Sequence, residues 1–210
     1  MSSGSAIIRA QTERRGNRVT QRPANDALSV FAERLAQLGL ADNECCEALS
    51  QAKCIRAPRG EILLHQGACQ EHGYFIVDGI LGAQYYGDCG GLFSKEFYFE
   101  GELCLLYHSL LTGDAAPYQL EAVTDATLVR FPLAQLKQAS WQAVLIALLS
   151  QQLLYKEEKE AFLLLKRPEE RYLYLVNHRP MWVERLSNVQ LARYIGITPV
   201  SLSRLKARLA

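Results

Sequence analysis

Twenty-three residues near the carboxy terminus, SNVQLARYIGITPVSLSRLKARL over positions 187–209, dictate their own local geometry more tightly than any other part of the chain. Ser187 stands where a side-chain oxygen can cap a short helix, and Val189, Leu191, Ala192 and Ile195 supply its apolar contacts. Gly196 suits a tight turn, because glycine takes positive φ without steric cost. Thr198 then caps a second helix, with Pro199 at the first helical position, where its missing N–H costs nothing. Leu202, Leu205 and Leu209 recur at steps of three and four and should face a core. Val200, Ser201, Ser203, Arg204, Lys206 and Arg208 are left on the other side.

Two short helices about a glycine turn form the pattern in which the start of the second helix enters the major groove of double-stranded DNA. Arg204 is the first candidate for base reading, since a guanidinium can make two hydrogen bonds to the edge of guanine. Val200 offers methyls to a thymine, while Thr198, Ser201 and Ser203 suit phosphate or base hydrogen bonds. Lys206 and Arg208 are better placed for backbone phosphates. The plainer alternative is a solvated charged face on a helical hairpin.

Charge distribution weighs against that alternative. The net charge of +1 hides nine Lys or Arg against three acidic residues over 166–210, a surplus of six, whereas residues 27–165 carry nine against seventeen. A basic end on an acidic body points to a polyanionic partner. The first 26 residues add Arg9, Arg14, Arg15, Arg18 and Arg22, and are expected to form a disordered basic arm. They lack the apolar stretch of a secretory signal, and no apolar run reaches the roughly 18–20 residues of a membrane span. A cytoplasmic protein is therefore expected.

Residues 27–38 read as an amphipathic helix, with Leu28, Phe31, Leu35 and Leu38 on one face and Gly39 at its end. A shorter helix follows at 42–49. Six short apolar segments come next, at 62–64, 74–77, 80–86, 93–99, 118–123 and 127–131, with glycines between them, as in a small barrel or double-sheet roll. After Pro132 the pattern changes to one long helix over 141–166. Its stripe of Val144, Leu148, Gln151, Tyr155, Glu158, Phe162 and Leu165 alternates steps of four and three, so Val144, Leu148, Tyr155 and Phe162 are expected to form a seam with a second copy. Packing on its own roll is the alternative. Pro168 breaks the helix and marks a hinge, and residues 181–186 have the makings of a strand before the terminal motif.

RGEILLHQG (59–67), YFIVDG (74–79), FEGE (99–102), the long helix and LARYIGITPVSLSRLKARL together resemble the Crp/Fnr family, that of the cyclic-AMP receptor protein and the fumarate and nitrate reduction regulator. The resemblance covers residues 27–210, and the terminal string is its specific part. It implies an α+β chain: an amino-terminal cyclic-nucleotide-binding-like β-roll over 27–139, a dimerisation helix over 140–166, and a helix-turn-helix DNA-binding domain over 167–210. It also implies a homodimer reading a pseudo-palindromic promoter site, a small-molecule effector in the roll, and RNA polymerase as a candidate further partner. Of the family's three usual base-reading positions only the last matches, at Arg204, because Pro199 and Val200 replace the expected charged pair.

The roll departs further. Gly101, Glu102 and Leu103, with Tyr155 from the long helix, are the candidates for an effector pocket. Nucleotide-binding relatives follow Gly-Glu with an arginine about ten residues on, yet the run 103–129 holds no Arg or Lys, and Leu106 falls where the glutamate is expected if FEGE is the preceding turn. Cyclic AMP is therefore not the expected effector. The six cysteines lack the amino-terminal clustering of the iron-sulfur branch and are expected to be mostly reduced and buried, with Cys45 and Cys46 a thin thiol-sensor alternative. His65, Cys69 and His72 leave open a metal-binding, cupin-like roll, although no second ligand pair accompanies them. A ligand-binding scaffold without DNA function is the other alternative, because the chain ends directly after the second helix with no following wing. No cofactor or resident metal is expected, and no catalytic triad or phosphate-binding glycine loop marks an enzyme.

Overall fold

The computed structural model describes residues 24–87 and 90–209. The expected basic arm lies outside them except for its last three residues, which already belong to helix α1 (Ala24–Gln37). Ala27, Phe31 and Leu35 recur every four residues and form the buried stripe of α1. Phe31 sits against both Phe75 and Phe131, with ring centroids 5.4 and 5.3 Å away. Gly39 leaves the helix at φ +99°, and α2 (Asp42–Gln51) follows.

Among the described residues eight strands make the roll: β1 (Lys53–Ala57), β2 (Ile62–Leu64), β3 (His72–Asp78), β4 (Leu81–Tyr86), β5 (Leu92–Tyr98), β6 (Leu103–Cys104), β7 (Gln119–Ala122) and β8 (Ala126–Pro132), with a short α3 (Tyr107–Thr112) between β6 and β7. They form two four-stranded antiparallel sheets, in the orders β1-β8-β3-β6 and β2-β7-β4-β5. β3 is buried on both faces: Tyr74 and Ile76 enter the roll, and Phe75 and Val77 join the core under α1. Double burial explains why β3 reads as a continuous apolar run instead of an alternation. At Gly73 a Cβ would stand 2.4 Å from Cζ of Phe131, so the close approach of β3 and β8 requires glycine.

The long helix α4 (Gln142–Leu165) has 24 residues. Val144, Leu148 and Phe162 are buried in the chain's own cores, and Tyr155 bonds to the chain's own Glu96 and Tyr194. The seam expected between two copies at these four positions is therefore corrected. α4 carries two apolar stripes, and spacing alone does not say which one its own fold takes. On the other side, Ile146, Leu153 and Leu164 fall within about 20° of one another at 100° per residue, and they are 56%, 60% and 73% exposed. Leu154 and Leu165 flank them, also exposed.

The terminal module comprises α5 (Pro168–His178), α6 (Pro180–Arg185), α7 (Asn188–Ile195) and α8 (Pro199–Leu209). The strand expected at 181–186 is a helical turn instead, started by Pro180 and anchored by the buried Trp182. Arg167, just before Pro168, has the extended backbone that a following proline favours, φ −71° and ψ 158°. One core joins the two halves. Ile80, Phe97 and Val123 of the roll and Phe162 of α4 pack with Leu175, Trp182, Leu191, Tyr194, Ile195 and Leu202 of the module.

Candidate nucleic-acid interface

Local hydrogen bonds build the surface as the sequence implies. Ser187 Oγ accepts the Gln190 N–H at 3.3 Å, and the Gln190 side chain accepts the Ser187 N–H at 2.8 Å, a reciprocal cap on α7. Gly196 ends α7 in the left-handed region, φ 77° and ψ 35°. The Ile197 N–H then reaches back to the Ala192 carbonyl at 2.9 Å. Thr198 Oγ1 accepts the Ser201 N–H at 3.1 Å and so caps α8. Leu191, Ala192, Ile195, Leu202 and Leu205 are buried as expected, but Val189 and Leu209 are each 40% exposed, at the margin of the module.

The outer side of α8 is open. Thr198, Pro199, Val200, Ser201, Ser203, Arg204 and Arg208 are exposed, and Lys206 is half-buried. These eight candidates are not equally free. Ser201 Oγ lies 2.9 Å from the capping Thr198 hydroxyl. The Lys206 ammonium donates to Asn188 Oδ1 at 2.6 Å and sits 5.4 Å from the Tyr172 ring centroid. Arg208 stands 3.8 Å from the Glu169 carboxylate. Val200, Ser203 and Arg204, at relative positions 0, 3 and 4, share one helix face. Ser203 and Arg204 have no side-chain partner among the described residues.

A buried polar junction, invisible in the sequence, locks the module onto the roll. Glu96 of β5 is 7% exposed. Its carboxylate accepts the Tyr155 hydroxyl of α4, the Lys159 ammonium at 3.0 Å and the Phe97 N–H at 3.1 Å. Tyr155 in turn meets the Tyr194 hydroxyl of α7 at 2.9 Å. Burial and the adjacent Glu96 carboxylate push both tyrosine hydroxyls well above their ordinary range. Beside the junction, Arg185 of α6 makes two hydrogen bonds, 2.8 and 2.6 Å, to Glu100 in the β5–β6 turn. Arg171 of α5 donates to the carbonyls of Leu163, Lys166 and Ile195 at 2.5, 2.9 and 2.8 Å. The end of α4, the hinge and the end of α7 are thereby tied to one guanidinium.

No family model and no curated protein sequence matches the chain. Among solved structures, FixK2 from Bradyrhizobium japonicum superposes with TM-score 0.64 at 18% identity, over 75% of this chain and 84% of that one. The c-di-GMP-responsive global regulator CLP of Xanthomonas campestris gives 0.62 at 20% identity, over 80% and 91%. A CRP/FNR-family transcriptional regulator from Thermus thermophilus gives 0.60 at 16% identity, over 75% and 85%.

The chain has the Crp/Fnr fold.

Within that fold the residues expected to form an effector pocket are engaged in the chain's own contacts. The Glu102 carboxylate accepts the Phe99 N–H at 2.9 Å, closing the turn in which Gly101 has φ +83°. Leu103 is buried in the core under α1, and Tyr155 is committed to Glu96 and Tyr194. A cavity of about 500 Å³ lies elsewhere, between the module and the roll, lined by Arg59, Thr124, Asp125, Arg185, Ser187 and Gln190 among others. A cation absent from the run 103–129 is supplied to the roll by Lys95 of β5. Its ammonium lies 4.4 Å from the Tyr118 ring centroid. Burial, with Lys156 and Lys159 nearby and Glu96 opposing them, lowers its pKa to about 8. Leu106 is fully buried in the roll.

His65, Cys69 and His72 do not converge, and no group of three metal-binding side chains does so among the described residues. The expectation that most cysteines are buried is corrected: Cys45 and Cys104 are buried, but Cys54 is half-buried and Cys46 and Cys69 are exposed, while Cys89 lies outside the described residues. Burial and the Asp42 carboxylate raise the Cys45 thiol, the reverse of what an activated thiolate needs. Among the described residues no helix is long and apolar enough to cross a membrane.

Proposed function

We propose that this chain is a sequence-specific DNA-binding transcription regulator. A roll over 27–139 senses, a helix over 140–166 pairs two copies, and a module over 167–210 reads double-stranded DNA in the cytoplasm. The observation that carries the reading is the open face of α8, where Arg204 stands exposed on a doubly capped helix-turn-helix within the basic segment. The likeness to transcription regulators supports it. Two-fold pairing along Ile146, Leu153 and Leu164 would match a pseudo-palindromic site, since symmetric proteins read symmetric half-sites. In this reading a small-molecule effector in the roll acts through Glu96, Tyr155 and Tyr194. The fully buried Leu106 speaks against cyclic AMP as that effector, and RNA polymerase is the further partner at the promoter.

The test is selection of binding sites from random duplexes by the purified protein. A two-fold-related consensus is expected, with affinity falling steeply as salt rises. Arg204→Ala should then lose roughly 1–3 kcal/mol of discrimination at one base pair per half-site. Recovery of no consensus above random DNA overturns the reading.

A further inference from the structure

Val200 is 60% exposed on the second residue of α8, although a valine facing water there gains nothing for the fold. Its neighbours on the same face are Ser203 and Arg204, both free of side-chain partners among the described residues, whereas Ser201, Lys206 and Arg208 are engaged within the protein. The surface thus offers one apolar knob beside one unpaired guanidinium. A duplex major groove presents the same combination: the C5 methyl of thymine is its one apolar feature, and guanine O6 and N7 accept a forked donor.

The geometry points to Val200 as a specificity-determining residue that reads the C5 methyl of a pyrimidine, close in the half-site to the guanine read by Arg204. Four residues of helix advance about 6 Å, and successive bases on a strand are about 3.4 Å apart, so the two contacts lie one to two base steps apart. The recognised feature is the methyl group and not the hydrogen-bonding edge, so 5-methylcytosine can replace thymine there where cytosine cannot. This inference rests on the DNA-binding reading and adds to it the chemistry of one position.

Duplexes carrying the selected site are compared with versions in which each thymine of the half-site, in turn, is replaced by uracil. Removing one buried methyl should weaken binding by about fourfold, and by about fifteenfold when both half-sites are changed. The effect should appear at one position, and Val200→Ser should bind thymine and uracil duplexes equally. At that position the wild-type protein should also favour 5-methylcytosine over cytosine by a similar factor. Specific binding with no thymine-to-uracil effect within two base steps of the Arg204-dependent guanine overturns the inference alone. So does an effect of equal size in Val200→Ser, or equal binding of 5-methylcytosine and cytosine. Absence of sequence-specific binding to any duplex overturns the DNA-binding reading itself, and this inference with it.

Discussion

The hydroxyl of Tyr194, on the first helix of the terminal motif, stands 2.9 Å from the hydroxyl of Tyr155 on the long helix. Tyr155 also donates to Glu96, so the two tyrosines differ in what their loss exposes. Tyr155→Phe removes a donor from a buried carboxylate and should destabilise the protein by roughly 1–3 kcal/mol; Tyr194→Phe removes a neutral contact and should cost about 0.5–1.5 kcal/mol. Urea denaturation of both variants measures the difference. Equal costs would show that Glu96 does not depend on Tyr155.

The turn between α7 and α8 predicts a second result. Gly196 has φ +77°, and a Cβ there would stand 3.4 Å from Arg171 Nη1. Gly196→Ala should therefore cost roughly 1–2 kcal/mol from backbone strain alone, and Thr198→Ala about 1 kcal/mol from the lost cap. Chemical denaturation checks both. A neutral Gly196→Ala would mean that the turn relaxes to a different shape.

The two sides of α4 should respond in opposite ways to a charge. Leu153→Glu on the exposed stripe should leave the fold intact and shift sedimentation from dimer to monomer. Val144→Glu, in the buried core, should unfold the chain, because an unpaired buried carboxylate costs several kcal/mol. A dimer that persists in Leu153→Glu and in Leu164→Glu would place the pairing surface elsewhere.

Lys95 predicts a pH dependence. Its folded-state pKa of about 8 lies below the ordinary 10.5. Between those values the unfolded chain holds a proton that the folded chain has released, so stability rises with pH across this window; below about pH 8 both states are charged and the penalty is fully present. The free energy of unfolding of wild type relative to Lys95→Met should therefore increase from pH 8 to pH 10. A flat difference would mean that the ammonium is solvated.

The terminal motif was legible because its determinants are local: Ser187, Gly196, Thr198 and Pro199 each act within four residues of themselves. The roll was legible as a class, yet β1 and β6 were missed, since β1 sets two exposed charged residues, Lys53 and Arg56, around two half-buried ones with no period-two alternation, and β6 has only two residues inside the apolar run LCLLY. The long helix was found nearly to its ends, but not its orientation, because both stripes are apolar and tertiary packing chose between them. Glu96 and Lys95 could not be read at all. Each acts on partners tens of residues away, and neither belongs to a spacing that sequence alone distinguishes from a solvated strand edge.

Arg171 turns what looks like a linker into a rigid joint. Three carbonyls, from the long helix, the hinge and the final residue of α7, share its one guanidinium, so a pivot of the module about Pro168 with α4 held still would have to break these bonds. Were α4 to twist about its own axis, these bonds would carry α8 with it, in the manner of a crank. Two such cranks, geared back to back, would set the distance between their reading heads by rotation alone.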